Sequence, residues 1–105
     1  MKFEKTFSKP AANSRMVYAT SPIVPFPLKV RSVTLYIDGE HGPKQFLAKH
    51  NETVIASGVV RSGEPVRLDP PIRLGAGRQT FVFAAEPFTK GETVEGRLVI
   101  ETSMF

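Results

Sequence analysis

The chain has 105 residues, 41% of them hydrophobic and 23% charged, the composition of one folded domain with a single core. It contains no cysteine, which excludes disulfides, thiolate metal sites, iron–sulfur clusters and cysteine nucleophiles. The net charge of +4 is uneven: residues 1–31 hold Lys2, Lys5, Lys9, Arg15, Lys29 and Arg31 against Glu4, while the remainder carries eight basic against nine acidic residues. Such a cationic N-terminal third suits either an acidic partner or a solvated tail, and charge alone supports both.

The dominant period along the chain is two. Residues 3–8 alternate Phe3 and Phe7 with polar side chains, and residues 15–20 form a second short candidate strand. Around them lie irregular connectors at 10–14 and 21–27, where Pro22, Pro25 and Pro27 disfavour helix and central strand and bias the path to an extended one. Residues 1–28 therefore read as a basic, proline-rich arm or edge segment attached to a body at 29–105. In the body, residues 29–37 place Val33, Leu35 and Ile37 together, residues 44–49 form a weaker candidate, and residues 53–60 are rich in β-branched side chains. Residues 65–74 alternate around a break at Pro70-Pro71. Residues 78–86 set Phe81, Phe83 and Ala85 on one face and Thr80, Val82 and Ala84 on the other. Both faces there are largely apolar, which marks either a central strand or one covered by a partner. Residues 93–105 give the cleanest alternation, with Val94, Gly96, Leu98 and Ile100 on one side. Turn signals separate these runs at Asp38-Gly39, Asn51-Glu52, Ser62-Gly63, Gly75-Ala76-Gly77 and Lys90-Gly91. The expectation is an all-β, antiparallel, jelly-roll-like β-sandwich of seven to eight strands with an extended N-terminal arm.

Chemistry is sparse. Asp38, Glu40 and His41 share one expected turn and His50 and Glu52 the next, with a strand of about 20 Å between them, too far apart for one ion. No serine stands in Gly-x-Ser-x-Gly, and a lone Gly-x-Gly at 75–77 is no phosphate loop. The expectation is no enzyme activity, no cofactor and no metal. Arg61, Arg67, Arg73 and Arg78 are interrupted by Glu64 and Asp69, which disfavours a nucleic-acid groove, and the chain has no tryptophan platform for sugar. A ligand-binding module for carbohydrate or single-stranded nucleic acid is nevertheless the alternative reading. No secretory signal or membrane span is read, so the protein is expected to be made in the cytoplasm or carried in a virion.

The arm carries the best binding signal. Lys2, Phe3, Lys5, Phe7, Lys9, Arg15, Ile23 and Phe26 are the candidate partner-binding residues. An extended apolar and basic segment can add as a strand to a neighbour's sheet edge, or fold back as an edge strand of its own domain. The sequence supports both.

The short cysteine-free chain, the basic arm spanning 2–27, the eight short strands and the lack of a catalytic constellation resemble small jelly-roll or β-sandwich proteins of virus particles, such as phage capsid decoration, cement or minor structural proteins. The resemblance lies in architecture, and no residue motif carries it. It implies a structural role clamping neighbouring protein subunits, in a symmetric homo-oligomer. From the residues themselves no membrane partner is expected, and nucleic acid is disfavoured.

Overall fold

The computed structural model describes residues 2–104. Ten strands follow in chain order: β1 (Lys2–Pro10), β2 (Met16–Thr20), β3 (Ile23–Val24), β4 (Leu28–Ile37), β5 (Lys44–His50), β6 (Thr53–Val60), β7 (Pro65–Leu74), β8 (Gly77–Arg78), β9 (Phe81–Glu86) and β10 (Thr93–Ser103). Their pairing is nested. β1 pairs with β10, β2 with β9, β3 with β8, β4 with β7 and β5 with β6, all antiparallel. The chain is thus one long hairpin ribbon folded double at Asn51-Glu52. Rolling the ribbon adds two more pairings, β10 with β4 and β9 with β5. The products are two four-stranded sheets, β1-β10-β4-β7 and β2-β9-β5-β6, with β3-β8 as a two-stranded connector. An antiparallel ribbon rolled into two facing sheets is a jelly roll. Among the described residues there is no helix, and so none long and apolar enough to cross a membrane.

Local chemistry explains where the ribbon folds. His50 pairs with Thr53, leaving Asn51 and Glu52 as a two-residue turn, and both have positive φ (46° and 72°). Two left-handed residues make the turn whose twist matches a hairpin. Asn51 suits that conformation and also ties the turn down: its Oδ1 accepts from Thr80 N–H at 3.1 Å, and its N–H donates to the Thr80 carbonyl at 3.0 Å.

The inward faces of both sheets build one core. Phe46, Phe81, Phe83, Met16, Leu98 and Val33 are among its most deeply buried large side chains. The alternation read over 93–105 holds within residues 93–101, with Val94, Leu98 and Ile100 inside and Glu95, Arg97 and Glu101 outside, while Met104 is exposed.

Two expectations are corrected. Eight strands make the two main sheets, but ten exist in all; β3 and β8 have two residues each, too few to show a period in sequence. Of the two readings of residues 1–28, arm or edge segment, the free arm gives way to the edge segment, with β1 at the edge of its sheet. Residues 2–24 form β1, β2 and β3, which lie along β10, β9 and β8. The zipper even continues across the corners: Ala11 N–H donates to Glu92 O at 2.8 Å, Phe88 N–H to Ser14 O at 2.9 Å, and Gln79 N–H to Pro22 O at 3.0 Å. Burying Phe7 and pairing nine residues of backbone in the same chain is what holds this segment. Met1 and Phe105, which end the expected arm and last strand, lie outside the described residues.

Candidate functional site

The expected arm residues divide by face. Phe7 is buried in the same core as Phe81, opposite Gly96, with its ring stacked on Tyr18 at 5.2 Å; Phe3 packs against that core from the sheet edge. They anchor β1 to its own domain. Lys2, Lys5 and Lys9 are exposed on this edge strand. Ile23 is 67% exposed and Phe26 37% exposed, both near the β3-β8 corner. Arg15 stands apart from all of these, beside Glu86 at 3.4 Å, on the outer rim of the second sheet.

The two outer faces of the sandwich differ sharply. On β1-β10-β4-β7, one cross-strand row reads Lys2, Glu101, Ser32, Arg67 and the next Glu4, Val99, Thr34, Pro65. Arg97 bonds Glu4 at 2.9 Å and lies 4.2 Å over the Tyr36 ring, and Ser32 Oγ donates to Glu101 at 3.2 Å. This face is a solvated network of the ordinary kind.

The outer face of β2-β9-β5-β6 is richer in apolar side chains. Its central row is Val17, Ala84, Leu47, Ser57; one flanking row is Ala19, Val82, Lys49, Val54. The other flanking row is Glu86, Gln45, Val59, with Arg15 at its end. Val17, Val54 and Val59 are 48%, 52% and 67% exposed. Strand spacing and rise make this grid about 19 Å by about 20 Å. Exposed apolar side chains gathered on one face and not on the other make it a candidate interaction surface. At its centre a hollow of about 150 Å³ opens beside Ala84, bordered by Leu47, Ser57, Arg15 and Glu86.

The candidate catalytic and ligand groups lie elsewhere. Among the described residues no group of three or more His, Asp or Glu could hold a metal ion. His50 is held by Gln79 at 2.7 Å, His41 packs edge-on against Phe88 at 5.5 Å, and Ser62 Oγ caps the backbone of Ile37. Both histidines are half-buried. An open groove of about 490 Å³ runs along the seam between β6 and β7, walled by Ile55, Val66, Ile72, Arg67 and Asp69. No aromatic ring lines it, so it lacks the stacking platform that sugars and bases need.

No protein-family model, no curated protein and no solved structure matches the chain. The site therefore rests on its own geometry. Sequence reasoning named Arg15 but not Val17, Leu47, Val54 or Val59. The available signal was residues 78–86, apolar on both faces: β9 is central, and its outer face is apolar as well.

Proposed function

We propose that this chain is a non-enzymatic structural protein that binds neighbouring subunits of a multi-subunit assembly, of the virion decoration, cement or minor capsid kind. The observation that supports it is the apolar outer face of β2-β9-β5-β6, set against a charged and hydrogen-bonded face on the other sheet. Water in contact with Val17, Val54, Val59, Leu47 and Val82 is released when a neighbour covers them, at roughly 25 cal/mol per Å². Jelly rolls serve shells and lectins alike, so the fold alone does not choose between them. The face favours the shell role because its contacts are broad, flat and apolar, whereas a small-molecule site is concave with convergent polar groups.

The mode of attachment differs from the free arm. β1 is committed to β10 of its own chain, and the neighbour-binding surface is a sheet face, with Ile23 and Phe26 as further exposed apolar points. Gradient sedimentation of native source material tests the reading. The chain is expected to travel with a high-mass assembly, and a lysine-directed cross-linker is expected to join Lys49 to a neighbouring protein. Recovery only at the monomer position, or saturable binding on a glycan array or to oligonucleotides, overturns it.

A further inference from the structure

We propose that the apolar face closes against the same face of a second copy, about a two-fold axis that runs along the strands between β5 and β9. The proposal rests on the assembly reading above and names what covers the face.

Two in-plane axes could bring the face onto itself. An axis across the strands stacks each central-row residue on its own copy, so Leu47 meets Leu47 while Ala84 faces Ala84, a collision beside a void. An axis along the strands instead lays β5 over β9 and β2 over β6. Leu47 of each copy then enters the hollow at Ala84 of the other, twice over, since the two residues are cross-strand neighbours on either side of the axis. The same operation sets Val17 on Ser57 and Val54 on Ala19, large against small at the outer strands of both rows. Charges are also accommodated. Glu86 comes over Gln45, Lys49 over Val82 and Val59 over the Arg15 stem, so no charged side chain faces its like. The face thus meets itself with matched volumes at Leu47 and Ala84 and without like-charge contacts, as an isologous contact requires.

A grid of roughly 400 Å² per copy lies below the usual span of stable specific interfaces, so the contact is a weak one and gains strength from other contacts in an assembly.

Sedimentation equilibrium of the full chain, from low to high micromolar, tests the proposal. The natural protein is expected to pass from monomer to dimer. Leu47→Glu and Ala84→Lys, at outward positions of central strands, are each expected to keep the native circular dichroism and weaken the dimer by roughly tenfold or more. Mixing the two variants is expected to restore a heterodimer, because the carboxylate introduced on β5 of one copy then lies over the ammonium introduced on β9 of the other. A natural protein that stays monomeric, variants that dimerise undiminished (as edge pairing along β6 would allow), or a mixture that stays monomeric each overturns the proposal. A chain that is monomeric alone yet sediments with its native assembly overturns the dimer and leaves the assembly reading standing; a dimer with no assembly-bound fraction does the reverse.

Discussion

Gly96 shows how one residue type sets the closeness of two strands. A Cβ added there collides with the Tyr36 carbonyl oxygen and comes 3.1 Å from Phe7 Cζ. Backbone cannot yield as a flexible side chain can, and Phe7 is itself packed. Gly96→Ala is expected to cost about 2–3 kcal/mol and to lower Tm by about 10 °C or more, measured by thermal melts. A shift within the error of the melt would mean that β10 and β4 can part locally. Glu52 is the opposite case, a side chain where glycine belongs. Its φ of 72° carries the Cβ penalty of the left-handed region, although the turn needs that conformation. Glu52→Gly is expected to stabilise the fold by about 0.5–1 kcal/mol in urea titrations; a loss of stability would show that Glu52 makes compensating contacts.

At the scale of elements, β1 holds by its apolar residues and not by its charges. Phe7→Ala is expected to cost about 3 kcal/mol, since it empties a buried site between Gly96 and Tyr18. Replacing Lys2, Lys5 and Lys9 together with glutamine is expected to change stability by less than about 1 kcal/mol, because exposed charges contribute little. Equal effects in denaturant melts would contradict this division. Edge strands explain part of the charge asymmetry read from sequence: exposed lysines on β1 and prolines in β7 discourage stray strand addition. Strand identity was largely legible. The run 53–60 is β6, 65–74 is β7, and the alternation read over 93–105 gives β10 over Thr93–Ser103. Pro70-Pro71 stays within β7 because the pairing steps over it, passing from Ser32–Arg67 to Val30–Ile72. The sequence left the arm open between docking on a neighbour and folding back, because the strands it joins lie at the far end of the chain.

For the whole molecule, nested pairing means that the first strand to be made waits for the last. β1 needs β10 and β2 needs β9; only β5-β6 is a short-range hairpin. Every outer pair closes a long loop before its contacts form, which places folding in the slow range of milliseconds to seconds. Stopped-flow fluorescence of the two tyrosines, with circular dichroism in parallel, is expected to show this, and microsecond folding would contradict it. The two-faced exterior belongs to the same scale. One sheet ends its apolar content at the core and turns a network of Arg97, Glu4, Ser32 and Glu101 to water; the other continues Val, Leu and Ala through to its outer surface.

Side-chain order along the chain determined that this protein is built of antiparallel strands, where most of them lie, and that cysteine-dependent chemistry is excluded, because period two, turn residues and composition are local properties. Which strands become neighbours is a matter of long-range packing. The core decided that Phe7 sits with Phe81, that the basic segment is bound within its own domain, and that Phe81, Phe83 and Ala85 face inward while Val82 and Ala84 face out. A slip of one residue in register would exchange those two faces, and only the stacking of one sheet on the other fixes which of them meets water.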